Sequence, residues 1–532
     1  MDAAGALRIA RRAALAAGAS LAGCSLRPSP LPPLGEALIV VDTDMAVPQL
    51  VNRLRVDLYA EDGTWYESRD IVRPDPNEWP ASFSVYSADE ARDIRVLVRL
   101  RVYSDGLTRQ YQGERYVDLG STAPPPGGPG PTDLNPRLVK NGADVTPSSE
   151  PQPAVTVDQL LLVRLHPGTR GRVNVTMRGA CAGTMAQLSQ TPPFQTPTFA
   201  EAATCLDTAG ARTVIREAAL DPDMTVPQSS SLLGTFGDGA PCDPNAPPDP
   251  RAICIPGGAF LLGSPAAAIT GPPTESTPLR IAVMGTFWID RHEVTVGQVR
   301  AAVAQGFVGG DITLVYAPAH DGPLGQPIAS DLAPENRWCS WSTKPIGREN
   351  YAISCVDYTH LARPYCQWLG GDLPTEAQWE YAATAAGRPY KARYPWGDDP
   401  PTCDLATWGR SDTLLLSSGG DPTCAQSAGI GPQPSMAVAT DVTPLGVHDL
   451  AGGLYEWMLD TAADYAGACW TKAPQKDPSC TDGSSVDRII RGGAWWLNAY
   501  DLAGAVRNSA SSGAYITQIG LRCAFAAAPG KP

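Results

Sequence analysis

From residue 36 to about residue 225, apolar and polar positions alternate with period two. Leu54, Val56 and Leu58 face one way before an Asp62-Gly63 turn, and Ile94, Val96, Val98, Leu100 and Val102 alternate with Arg95, Arg99 and Arg101 before Asp105-Gly106. Leu161, Val163 and Leu165 precede a Pro167-Gly168 turn, and Val173, Val175 and Met177 follow it. Residues two apart on a strand share a face, so the pattern predicts half-buried strands joined by tight turns: an all-β, sandwich-like domain over residues 36–225. Ala123 to Pro136, with its Pro-Pro-Pro-Gly-Gly-Pro-Gly-Pro run, reads as a long loop of that domain or as a link between two. One domain is favoured, because each half alone offers few strands. Residues 226–252, rich in Pro, Ser, Gly and Asp, predict a linker.

Past Ile253 the period changes. Val296, Val299 and Val303 predict a helix from Val294 to Gln305, and Leu361, Tyr365, Cys366 and Leu369 the inward face of another, from about Tyr358 to Leu369. Thr375 with Gln378 forms a capping box for a third, which carries Trp379 and Ala382 at helical spacing. Beyond Arg388 the chain is mostly Gly, Pro, Asp and Trp with little periodicity, and such a region needs disulfides or ions as staples. The whole is multidomain.

At 532 residues the chain exceeds one ordinary core. A net charge of −14 without a basic cluster excludes nucleic acid as the expected partner. Residues 1–24 predict a lipoprotein signal peptide: Arg8, Arg11 and Arg12 precede an apolar run from Ala13 to Gly23, far short of the roughly 20 residues that span a bilayer. The run ends in Leu21-Ala22-Gly23-Cys24, which resembles the bacterial lipobox and makes Cys24 the lipidation site. Two or three acyl chains give stable anchoring. Ser25, where Asp would retain the protein elsewhere, points to the outer membrane of a Gram-negative cell envelope, and the Pro-rich residues 25–35 to a tether. Of 13 cysteines, those beyond Cys24 are even in number, as expected of disulfides in an exported chain. Proximity suggests Cys181–Cys205, Cys242–Cys254, Cys339–Cys355, Cys403–Cys424 and Cys469–Cys480 without fixing the connectivity.

Seven motifs follow in order from residue 253: Ile255-Pro256-Gly257-Gly258, Ile289-Asp290-Arg291-His292-Glu293-Val294-Thr295, Leu373-Pro374-Thr375-Glu376, Tyr394-Pro395-Trp396-Gly397-Asp398, Tyr455-Glu456-Trp457, Arg491-Gly492-Gly493 and Gly520-Leu521-Arg522-Cys523. Residues 253–526 thereby resemble the formylglycine-generating enzyme (sulfatase-modifying factor) family. The resemblance implies an irregular α+β, C-type-lectin-like fold. For active members it implies oxidation of a sulfatase cysteine to formylglycine with molecular oxygen and Cu(I). It also implies a structural Cys366–Cys523 disulfide, and structural calcium, for which Asp404 and Glu456 are the candidates. Gly453 stands where the calcium loop usually has Asn.

The same resemblance exposes a deficit. Cu(I) is soft and takes thiolate ligands. Counted from Gly492-Gly493, the family's two cysteines fall on Leu497 and near Leu502; residues 481–522 contain no cysteine, and Ala494 replaces the usual Ser. A leucine has no lone pair to offer. His166, His292, His320, His360 and His448 are scattered, with no two at metal-ligand spacing, which argues against a non-haem iron site. The expected function is therefore an envelope lipoprotein whose enzyme-like domain lacks formylglycine-generating activity and binds a peptide, a glycan or an envelope protein. Trp457, Trp495, Trp496 and Tyr500 are the candidates for lining its groove, the alternative being that they fill the core. The competing function is a copper-dependent oxidoreductase of the family kind, with another ligand set.

Overall fold

The computed structural model describes residues 34–60, 65–87, 91–104, 115–117, 137–140, 143–144, 153–189, 198–207, 210–237, 239, 241, 247–264, 276–307, 321–326, 334–482 and 485–526. The signal peptide with Cys24, most of the tether, Cys242, His320 and the Asp62-Gly63 and Asp105-Gly106 turns lie outside these residues. No helix among the described residues is long and apolar enough to cross a membrane. Two compact units divide between Phe236 and Gly237.

The first unit is β-rich. Its strands are β1 (Glu36–Thr43), β2 (Arg53–Tyr59), β3 (Trp65–Val72), β4 (Ala81–Tyr86), β5 (Ile94–Tyr103), β6 (Arg115–Val117), β7 (Arg137–Lys140), β8 (Ala143–Asp144), β9 (Val157–Leu165), β10 (Arg170–Met177), β11 (Gln187–Ser189), β12 (Thr198–Cys205) and β13 (Arg212–Val214). They form sheets of order β10-β1-β4, β3-β2-β5-β9, β11-β12-β13 and β6-β7-β8. The alternating residues Leu54, Val56 and Leu58 on β2, Val96, Val98, Leu100 and Val102 on β5, Val163 and Leu165 on β9, and Val173, Val175 and Met177 on β10 are buried, whereas Ile94 and Leu161 are half-buried; Asp57, Leu97 and Arg101 on the opposite faces are buried as well. On the other face of β5 the arginines are paired, Arg99 to Asp158 at 2.7 Å and Arg101 to Asp57 at 2.5 Å. Part of the expected linker belongs to this unit, since Ser230, Gly234 and Phe236 donate backbone hydrogen bonds to Trp79, Met45 and Asp44.

The second unit has mixed sheets and few helices. Its strands are β14 (Ala252–Ile255), β15 (Gly258–Leu262), β16 (Arg280–Met284), β17 (Phe287–Asp290), β18 (Tyr455–Thr461), β19 (Asp487–Arg491), β20 (Asn508–Ser511), β21 (Ile519–Gly520) and β22 (Ala524–Ala526). Their sheets run β14-β17-β22, β15-β16 and β20-β19-β18-β21. Helix α1 (Val296–Ala304) is capped by Thr295 in a capping box with Gln298. It buries Val296, Val299 and Ala302 and leaves Val303 40% exposed, so the inward stripe turns one residue from the expected one. A single π turn, Tyr358–Ala362, leads into α2 (Arg363–Trp368), and α3 (Glu376–Thr384) carries the expected Thr375/Gln378 box. Helices α4 (Ala425–Ala428) and α5 (Ala468–Lys472) are single turns.

Disulfides staple the irregular part. Cys181–Cys205, Cys339–Cys355, Cys403–Cys424, Cys469–Cys480 and the long-range Cys366–Cys523 all form, with Cα separations of 5.3 to 5.7 Å. Cys254 is disulfide-bonded as well.

Candidate functional site

Strand β19 ends at Arg491, and Gly492 and Gly493 turn the chain with φ of +103° and +79°, a region that side chains oppose. A Cβ on Gly493 would sit 3.1 Å from the backbone of Asp501. The turn delivers Ala494 to Leu497 into a backbone lattice: Trp495 N–H donates to Gly453 O, while the carbonyls of Trp495, Trp496 and Leu497 accept from Arg410, Asp421 and Gly409. Leu497 is half-buried against the core that holds Trp288 and Trp457. Leu502 is fully buried in a separate cluster with Trp408 and Val506. Every described cysteine of the second unit is in a disulfide.

Three of the four aromatic residues expected to line a groove are core. Trp457 and Trp495 are 0% exposed and Trp496 5%. Trp457 donates to Val356 O at 2.9 Å, and the Trp495 ring lies 5.2 Å from that of Trp338. Burial of these large apolar rings is what holds a region so poor in regular structure. Tyr500 alone keeps partial exposure, packed with Trp396 on the cluster around Leu502.

Two buried ionic networks flank the turn. In the first, Glu376 accepts from Arg491 at 2.5 Å, from both Nε and a terminal nitrogen of Arg507, and from Tyr465 Oη at 3.1 Å. Burial opposes ionisation of Glu376, but Arg507 and Arg491 outweigh it and hold the carboxyl below its ordinary value. Asp460 accepts from the Glu376 and Cys480 N–H groups; burial, then the Glu376 charge, pushes it up to about 6.

In the second network Arg522 grips both Glu456 oxygens at 2.6 Å, and Trp379 Nε1 donates to one of them at 2.8 Å. Glu293, Asp441 and Asp449 are buried nearby, four carboxylates around one guanidinium. Burial, then Asp449, raises both Glu293 and Asp441 well above their ordinary values. Glu293 Oε1 accepts from Leu454 N–H at 2.7 Å, and a Cβ at Gly453 would come within 2.8 Å of that oxygen. Asp441 Oδ1 has no hydrogen-bond partner among the described residues. The sequence singled out Glu456 alone; Glu293 lay in the His-Glu pair of the second motif and Asp449 outside the seven motifs, and nothing marked them as neighbours. The other calcium candidate, Asp404, is exposed, and only its carbonyl is engaged, by the Thr440 hydroxyl. As they stand, no three His, Cys, Asp or Glu side chains among the described residues form a metal-ligand set.

Residues 240–527, over half of the chain, match the family described as the sulfatase-modifying factor enzyme 1-like domain. This chain belongs to that family. Similar to it over the sulfatase-modifying factor domain is the formylglycine-generating enzyme of Thermomonospora curvata, 30% identical over 303 residues, 51% of this chain and 92% of that protein. The hercynine oxygenase of Mycolicibacterium thermoresistibile is 31% identical over 152 residues, 28% of this chain and 30% of that one. Among solved structures, PvdO from Pseudomonas aeruginosa aligns with a TM-score of 0.39 and 21% identity, covering 53% of this chain and 96% of that chain. Cu(I) takes thiolate ligands, whereas residues 481–522 of this chain contain no cysteine and the described cysteines of the second unit are in disulfides, so no thiolate among the described residues there fits it.

Proposed function

We propose that this protein is an envelope lipoprotein, anchored through Cys24, whose sulfatase-modifying factor domain binds a partner and does not generate formylglycine. The observation that carries the reading is the pair Leu497 and Leu502, packed in two apolar clusters whose cysteines, Cys254, Cys366 and Cys523 in one and Cys403 and Cys424 in the other, are all in disulfides. We take the β3-β2-β5-β9 and β10-β1-β4 sheets of the first unit as a β-sandwich and the second unit as a C-type-lectin-like fold serving as a scaffold for a peptide, a glycan or another envelope protein. The test is a Cu(I) titration of the purified protein against a chromogenic Cu(I) chelator. The chelator should keep all the metal. A protein that strips one copper per chain would restore the oxidoreductase reading, which the names of its relatives favour.

A structural calcium ion belongs to the same proposal. Four carboxylates are buried around the single Arg522 guanidinium, an oxygen-rich group that a hard cation would suit, and the Asp441 Oδ1, without a partner among the described residues, is one of its oxygens. Glu293, Asp449 and Glu456 are the residues that would hold it, Glu456 only by sharing its oxygens with Arg522. Millimolar calcium should raise the thermal midpoint relative to EDTA, by about 2.7 kcal/mol of stability at a hundredfold excess over Kd. Glu293→Gln should abolish most of the difference. Equal midpoints in calcium and EDTA would mean that protons, not calcium, compensate the cluster.

A further inference from the structure

Among the described residues, strand β20 has a neighbour on one side only, β19. Ser512 N–H donates to Val486 O, which makes that pair a hydrogen-bonded one. Antiparallel pairs alternate between hydrogen-bonded and open, so Ala510 with Arg488 and Asn508 with Ile490 are hydrogen-bonded, and Ser509 with Ile489 and Ser511 with Asp487 are open. The backbone groups of Ser509 and Ser511 therefore point away from the sheet. Ser509 N–H is met only by the Oδ1 of its own neighbour Asn508, at 3.0 Å, and Ser511 O by the turn amide of Ala514. Asn508, Ser509 and Ser511 are exposed and small or polar, with no bulky side chain or proline to blunt the edge.

The side chains of Ile489 and Ser509, an open pair, share one face of the sheet, and on that face lies a cavity of about 270 Å³. Ala462, Ala463 and Ile489 give it apolar walls, and Arg507 and Asp464 its charge. The Arg507 guanidinium is already committed: to Glu376, to Ala463 O at 2.8 Å, and over the Tyr465 ring, 3.9 Å from its centroid. Arg491, Arg507 and Lys391 are matched in number by Glu376, Glu380 and Asp460. Asp464 is different. It is exposed, holds only the turn amide of Ala466 with one oxygen, and has no ion-pair partner among the described residues. Of the two charged residues that line the cavity, Arg507 is ion-paired to Glu376 and Asp464 is the one left without such a pair among the described residues.

We infer that β20 and this cavity form a docking site for an extended, basic peptide segment of another protein, added as a fifth strand to β20-β19-β18-β21. The segment displaces the Asn508 amide oxygen from Ser509 N–H and hydrogen-bonds to the outward groups of Ser509 and to the outward N–H of Ser511. Its residue opposite Ser509 projects onto the cavity face and carries a lysine or arginine, whose stem lies on Ala462, Ala463 and Ile489 and whose head meets Asp464. Main-chain pairing supplies affinity and the cavity supplies selectivity. The site rests on the reading of the domain as a binding module, and it names the ligand class.

The probe is a fluorescein-labelled Thr-Val-Thr-Lys-Thr-Val-Thr peptide, read by fluorescence anisotropy with the intact soluble chain. Its companions are the same peptide with Glu for Lys, and with alternate backbone nitrogens methylated. The lysine peptide should bind, and each companion should bind about tenfold or more weakly. Asp464→Asn should cost the lysine peptide at least fivefold and the glutamate peptide nothing, and added salt should weaken only the lysine peptide. Ser509→Pro removes an outward N–H without touching the β19 ladder and should abolish binding; circular dichroism of both variants separates this from misfolding. Equal binding of the three peptides, or none, overturns the site. Glycan binding without peptide binding would overturn it while leaving the binding module standing, and oxidation of a bound cysteine peptide would overturn the binding-module reading instead.

Discussion

Replacing Glu376 with Gln should destabilise the protein by about 3–5 kcal/mol, because the change leaves Arg491 and Arg507 buried without the charge that holds them. Glu376 is itself fully buried, so water cannot screen the loss. The pH dependence carries the same signature. The folded carboxyl titrates below its ordinary value, so its contribution is complete above the unfolded-state value and is lost as the pH falls through the folded one. Wild type should therefore lose stability more steeply toward acid than the Gln variant, which keeps only the contribution of other depressed carboxyls such as Asp249 and Asp412. Urea unfolding across the acid range measures both effects; a loss under about 1 kcal/mol would mean the guanidinium groups find other partners.

Removing the Cys366–Cys523 bridge with a double Ser substitution should cost about 5 kcal/mol on the chain-entropy account, since it joins residues 157 apart. Cys469–Cys480, which joins residues 11 apart, should cost about 3 kcal/mol when treated alike. The comparison matters more than either value. It asks whether the long bridge, which ties α2 to the segment entering β22, holds the second unit closed. Equal losses would place the effect in local packing instead of in the length of chain constrained.

Legibility in the sequence followed periodicity. The β2, β5 and β10 faces and the caps at Thr295 and Thr375 were readable because a single period or a local side-chain-to-backbone bond decides them. Val303 was misassigned because helix α1 is only nine residues long, and its inward stripe is set by the packing of Ala302. The tryptophans were ambiguous for a chemical reason. An indole suits a binding face and a core equally, and only the enclosure of Trp457 by Val356 and Tyr358, and of Trp495 by Trp338, decides between them. The Glu293–Asp441–Asp449–Glu456 group was invisible because its members are spread over more than 160 residues of chain. The open edge of β20 was hidden too, since edge position is a property of topology.

The absence of formylglycine chemistry is tested most directly by incubating the purified soluble chain with a Cys-x-Pro-x-Arg peptide, Cu(I) and oxygen, and weighing the peptide. The expected outcome is an unchanged cysteine peptide, or only its disulfide, under conditions in which an active family member converts it. Accumulation of the aldehyde, trapped by a hydrazide reagent, would contradict the account and require a copper site built without Leu497 and Leu502.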